Sequence, residues 1–160
     1  MSTSTKVAGG VVAVILTLAG IPSRAQAKPD FAGEWTLNLT KSHFGQVQAP
    51  SGLVRTITQQ GSRFKVVTIQ PGASGNVTTE VTYTIDGKDN VHKLNGETVR
   101  AAARWEGEAL IIESRRRIQG AEAIQRDRWT LSLDGKTLTI NSHLTVFPRE
   151  YDITYVLDKH

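Results

Sequence analysis

The chain has 160 residues, 39% of them hydrophobic and 21% charged, with no cysteine and a formal charge of +4. Without cysteine there is no disulfide, no thiol nucleophile, no cysteine metal site and no lipid anchor through a cleavage-site cysteine. The length suits one domain with one core, and the charge is too small to argue for nucleic acid as a partner.

Lys6 precedes an uncharged apolar run from Val11 to Leu18, which Gly20 and Pro22 break. Ala25-Gln26-Ala27 then supplies the small-x-small pattern of a signal-peptidase site. Together they predict a secretory signal peptide over residues 1–27. The apolar run is too short to span a bilayer, which takes about 20 residues. The expected mature domain is therefore residues 28–160, exported to the periplasm or secreted, with no stable membrane insertion. Removal of Lys6 and Arg24 lowers the formal charge from +4 to +2, because residues 1–27 carry no acids. Export without cysteine is more typical of bacteria than of animal secretion. Asn38-Leu39-Thr40 and Asn76-Val77-Thr78 match the glycosylation acceptor pattern, which carries no weight in a bacterial host.

From Gly33 onward the dominant period is two. Val77, Val81, Tyr83 and Ile85 alternate with polar residues, as do Trp129, Leu131 and Leu133, then Leu138, Ile140, Leu144 and Val146, and finally Ile153, Tyr155 and Leu157. Such alternation gives a strand one buried and one solvated face, the pattern of antiparallel sheets. Asp134-Gly135 is the strongest hairpin signal. Gln60-Gly61-Ser62, Asp86-Gly87, Asn95-Gly96, Glu106-Gly107 and Gln119-Gly120 mark further reversals, and Pro71 to Asn76 reads as a longer loop. Strands are expected near 33–39, 53–60, 63–70, 77–86, 91–95, 97–105, 109–118, 122–133, 137–147 and 150–158. Glu97 to Arg104 has helical propensity through Ala101-Ala102-Ala103, yet it is short and lies between turns, so it reads as a strand. Lys41 to Phe44 suggests a single helical turn. About 8–10 short strands joined by tight turns form a meander, and closing it into an up-and-down β-barrel removes the edges. A Greek-key sandwich would need more long connections than the chain has.

Asp30-Phe31-Ala32-Gly33-Glu34-Trp35-Thr36-Leu37-Asn38 opens the mature domain. Gly33-Glu34-Trp35 resembles the G-x-W signature of the lipocalin and fatty-acid-binding (calycin) superfamily. The longer run through Lys41, Ser42, Phe44 and Gly45 resembles small secreted bacterial lipocalin-like proteins that open with D-F-x-G-x-W-x-L-N-x-x-K-S-x-F. Leu133 to Thr139 is similar to a late hairpin of such chains. The resemblance implies a lipocalin-like barrel that Trp35 closes at one end. It also implies an Arg or Lys near the last strand over that indole, a place either Arg149 or Lys159 can fill. The implied activity is binding of a small apolar ligand. The second lipocalin motif, around T-D-Y, has no counterpart here.

The residues themselves argue against catalysis. His43, His92, His143 and His160 show no metal-ligand spacing and read as solvated or capping side chains, so no metal is expected. Ser42-His43 has no nucleophile elbow around it. Glu106 and Glu108 flank a turn glycine, where charge is ordinary. No glycine loop cradles a phosphate, and no cofactor is expected. Arg115-Arg116-Arg117 is the conspicuous charged feature. If Ile112 points inward, so do Ser114 and Arg116, and an inward Arg116 could hold an acidic head group, joined by Arg126 or Arg128 from the facing strand. A solvated strand is the alternative. Tyr83, Trp105, Arg116, Trp129 and Leu131 are the expected ligand-lining residues, and Gly33, Trp35, Arg149 and Lys159 the barrel-closing set. The function read from the sequence is an exported, non-enzymatic barrel that binds a small, mostly apolar ligand. The alternative is a ligand-free structural or interaction module with a filled barrel.

Overall fold

In a computed structural model, residues 27–94 and 96–160 are described. The signal segment, residues 1–26, and Asn95 of the expected Asn95-Gly96 turn lie outside them. Ten strands follow in order: β1 (Gly33–Leu37), β2 (Val54–Gln60), β3 (Arg63–Gly72), β4 (Gly75–Thr84), β5 (Asp89–Leu94), β6 (Glu97–Glu106), β7 (Ala109–Ile118), β8 (Ala121–Leu131), β9 (Thr137–Val146) and β10 (Arg149–Lys159). All ladders are antiparallel. The first strand pairs with both β2 and β10, so the single sheet runs β4-β3-β2-β1-β10-β9-β8-β7-β6-β5 and curls on itself. Its two edge strands, β4 and β5, meet at a seam. A bridge from Ile85 to Ala103 closes one end of that seam, and Asn90 Oδ1 accepts from the Thr84 amide at 3.0 Å. The result is a nearly closed up-and-down barrel with no helix among the described residues.

The strand pattern follows the two-residue period, including β6, where helical propensity gives way. Val99, Ala101 and Ala103 alternate inward and are buried, and burial outweighs the small intrinsic preference of alanine. Two turns differ from expectation. Residues 71–76 make no long loop: β3 and β4 pair through Pro71↔Asn76 and Gly72↔Gly75, forming a tight hairpin that projects into solvent. Lys41 to Phe44 form no helical turn. His43 instead exchanges two backbone hydrogen bonds with Thr154 of β10, at 2.8 and 2.7 Å, and this pairing holds the β1–β2 connection against the barrel.

The core fills one half of the barrel. Call lower the end that carries residues 27–32 and the β8–β9 turn. There Phe31, fully buried, sits inside the barrel, stacked on Trp105 at 5.9 Å and edge-on to Phe64 at 6.0 Å and Trp129 at 6.4 Å. Phe64 meets Trp129 at 5.7 Å, and Leu110, Leu138 and Leu157 complete the packing. Edge-on and offset contacts of this kind add roughly 0.5–1.5 kcal/mol per pair to area burial.

Of the residues expected to close the barrel, Gly33, Trp35 and Lys159 stand just beside this plug. Trp35 is fully buried and donates its indole N–H to the Phe31 carbonyl at 2.9 Å, so the motif's tryptophan holds the motif's phenylalanine in place. Lys159 Nζ stands 5.1 Å from the Trp35 ring. Arg149 lies at the other end of β10, beside the β9–β10 turn, and does not reach Trp35. Gly33 has φ +138°, and a Cβ there would sit 2.6 Å from Lys159 Cε. We expect Gly33→Ala to cost about 1–3 kcal/mol, since that backbone region is nearly restricted to glycine. Urea unfolding checks it. Because the backbone term persists, shortening Lys159 should not restore the loss, and full restoration would contradict the account.

Candidate functional site

Above the plug, the upper half of the barrel holds a cavity of about 150 Å³ that is partly open to solvent. Its lining mixes apolar side chains, Val66, Val81, Val99, Ile112 and Trp129, with polar ones, Arg55, Tyr83, His92, Arg116, Gln125 and Asp127, often on the same strand. The geometry follows from strand period and register. On β7, Ile112, Ser114 and Arg116 share the inner face, and Ile112↔Asp127 and Ser114↔Gln125 place the two β8 side chains beside them. On β2, Arg55 lies opposite Trp35 and two residues before buried Ile57, so it is carried inside.

Arg55 is the unusual group. Its guanidinium stands 5.2 Å from the Trp129 ring and 5.7 Å from the Tyr155 ring. Its Nε and Nη1 are sealed from solvent and have no hydrogen-bond partner. Burial pulls its pKa below the usual arginine value, while the fields of Asp127, Tyr155 and Tyr83 oppose the shift. Guanidinium basicity is high enough that the group keeps its charge. Sealing two of its nitrogens from water without a partner is costly.

Arg116, Gln125, Asp127 and Ser142 hold one another. Arg116 Nη2 donates to Gln125 Oε1 at 3.0 Å, and Gln125 Nε2 donates to Asp127 Oδ1 at 2.9 Å and to Ser142 Oγ at 3.0 Å. Two guanidiniums therefore face the cavity against one carboxylate, leaving one positive charge in excess. His92 Nε2 and Trp129 Nε1 are likewise sealed and unpartnered. Burial lowers the His92 pKa, favouring the neutral ring at neutral pH. Its ring meets Tyr83 edge-on at 5.4 Å across the β4–β5 seam.

Burial, then the field of Asp127, pushes the Tyr83 phenol up to about 12 from an ordinary value of 10.0, against the opposing fields of Arg55 and Arg116. A raised folded-state pKa favours the neutral phenol. Its stability contribution is fully present below pH 10 and is lost as pH rises towards 12. Ultraviolet titration of the native protein should show one phenol ionising near pH 12 that Tyr83→Phe removes. Ionisation of that phenol near pH 10, as in a free tyrosine, would contradict the burial.

Of the residues expected to line a ligand, the structure brings Tyr83, Arg116 and Trp129 to the cavity. Trp105 and Leu131 do not line it. They face the barrel lower down, where Phe31 covers Trp105 and Leu131 packs against the core. Arg115 and Arg117 point outward, while Arg116 also borders a groove at the barrel rim with Arg100, Arg115 and Arg117. Arg126 and Arg128 do not join Arg116. The register turns them outward, where Arg126 pairs with Glu106 at 3.2 Å and Glu113 at 3.1 Å. Arg104 completes that network, and its hydrogen bond to Glu113 holds that carboxyl below the usual range. Of the histidines, His92 departs from a solvated or capping role by facing the cavity, whereas His143 pairs with Asp152 at 2.8 Å on the outer face.

Sequence reasoning missed Arg55, Gln125 and Asp127. The signal was there in part: Arg55 shares parity with Ile57, and Asp127 with Trp129. Polar residues at inward positions of a strand are what a binding cavity requires.

No family model matches this sequence, and no curated protein matches it. Solved structures do resemble it. Zebrafish ileal bile acid-binding protein, solved with cholic acid, superposes with a TM-score of 0.60 at 16% identity, over 81% of this chain and 98% of that one. A secretory abundant heat soluble protein of Ramazzottius varieornatus gives 0.61 at 10% identity, over 81% and 94%. A fatty acid-binding protein from Drosophila melanogaster brain gives 0.51 at 14%, over 81% and 99%. The chain thus shares the all-β, up-and-down barrel fold of these proteins. At these identities the likeness is one of fold.

Proposed function

We propose that this chain is an exported, non-enzymatic carrier that buries one small, mostly apolar molecule in the upper half of its barrel. The observation that carries the reading is the cavity itself, lined by apolar side chains and by an arginine with two sealed, unpartnered nitrogens. Preformed concave sites with a few placed polar groups are what small ligands use. The fold likeness supports it: the zebrafish neighbour was solved with cholic acid, and the Drosophila neighbour is named for fatty acids. Export rests on the sequence of residues 1–27 and its signal-peptide pattern. Binding is favoured over catalysis because Arg116, Gln125, Asp127 and Ser142 are tied to one another by hydrogen bonds, which rigidifies that side of the lining.

One observation favours a second reading, a filled barrel without ligand: Phe31 already packs the lower half solid. Native mass spectrometry of protein from the exported fraction, before and after organic extraction, separates the two. A removable mass that rebinds supports the carrier. A clean mass before extraction, with no uptake of any small ligand after it, supports the filled barrel.

A further inference from the structure

We propose that the cavity selects a compact, ring-bearing acid of single negative charge over long-chain amphiphiles, an inference that rests on the carrier reading above. Three observations converge on it.

The first is size. The cavity holds about 150 Å³, with Trp129 in its wall backed by Phe64 and Phe31. An apolar cavity of about that volume takes a molecule the size of benzene. A long acyl chain or a steroid nucleus would either leave most of its apolar surface in water at the open mouth or have to displace Phe31, which is fully buried and held through its carbonyl by Trp35.

The second is charge. Arg55 and Arg116 face the cavity against Asp127 alone, and Arg55 makes no ion pair among the described residues. One carboxylate or equivalent anion brings the cavity to neutrality. A charge-assisted hydrogen bond to a guanidinium in a desolvated site is among the stronger polar contacts a protein makes. A neutral ligand would leave the Arg55 charge uncompensated.

The third is the set of orphaned nitrogens. Arg55 Nε and Nη1 and Trp129 Nε1 are donors without acceptors, and His92 Nε2 is sealed beside them in the lining. Buried donors are nearly always satisfied in native proteins. An acid supplies two oxygens with several lone pairs, whereas an apolar molecule supplies none. The ring follows from the walls, since Trp129, Tyr83 and His92 present aromatic surfaces to the same space.

The test is calorimetric titration of the extracted protein with benzoate, benzyl alcohol, laurate and cholate. We expect benzoate to bind at least tenfold more tightly than benzyl alcohol, and laurate and cholate to bind more weakly than benzoate or not at all. In Arg55→Met the benzoate advantage over benzyl alcohol should vanish. Laurate or cholate binding more tightly than benzoate overturns the size selection while leaving the carrier reading intact. Equal binding of benzoate and benzyl alcohol overturns the charge selection, again with the carrier intact. No binding of any of the four, together with a clean mass from the exported fraction, overturns both. These comparisons use the unaltered protein, so they stand whether or not the variant folds.

Discussion

Phe31→Ala should destabilise the protein by about 3–5 kcal/mol, the range for truncating a buried phenylalanine. For a domain of this size that corresponds to a lowering of Tm by about 10 °C or more. The side chain is wholly buried among Phe64, Trp105 and Trp129, and no neighbour can collapse into its place without breaking those ring contacts. The same change should merge the space left by Phe31 with the cavity above, bringing Trp105 and Leu131 within reach of a ligand. Binding of laurate should then rise relative to benzoate. Thermal unfolding measures the first effect and calorimetry the second. A loss below about 1 kcal/mol would mean that Phe31 is not the plug. An unchanged size preference would mean that the plug does not set the cavity floor.

Arg55→Met should have two effects of opposite sign. Two sealed guanidinium nitrogens without a hydrogen-bond partner are expected to cost the folded state more than the contacts with Trp129 and Tyr155 return. Methionine has similar length, adapts its shape, and carries no charge. The apo protein should therefore gain about 1 kcal/mol in urea unfolding, while acid binding falls at least tenfold. Stability given up for function is the mark of a binding group. A variant that loses stability and keeps its affinity for acids would reduce Arg55 to a packing residue.

The fold was legible because its signals are local. The two-residue period from Gly33 onward and the Asp-Gly and Gln-Gly turns set ten strands within a few residues of their observed ends. The burial of Trp35 and its place beside Gly33 were legible in the same way, as both sit in one short run. Two local readings failed through longer-range pairing: strand pairing continues through Pro71 and Gly72, and His43 is captured by Thr154 of β10. The site was legible only by parity. Ile112, Ser114 and Arg116 share a face in any strand, but which β8 residues join them depends on register. A one-residue slip exchanges Gln125 and Asp127 for Arg126 and Arg128. The choice between Lys159 and Arg149 likewise needed the direction of β10, which puts one at each end of the barrel. Trp105 and Leu131 have the inward parity expected of them. They miss the cavity because Phe31, from a segment ahead of the first strand, enters the barrel below it, and no strand period reports that.

The most direct measurement is a crystal structure with 4-iodobenzoate, with the iodine located by its anomalous signal. The account predicts iodine inside the upper half of the barrel, beside Trp129 and Tyr83, with the carboxylate within hydrogen-bond distance of Arg55. Iodine found only on the outer surface, with Arg55 unchanged and the cavity holding no acid, would contradict it.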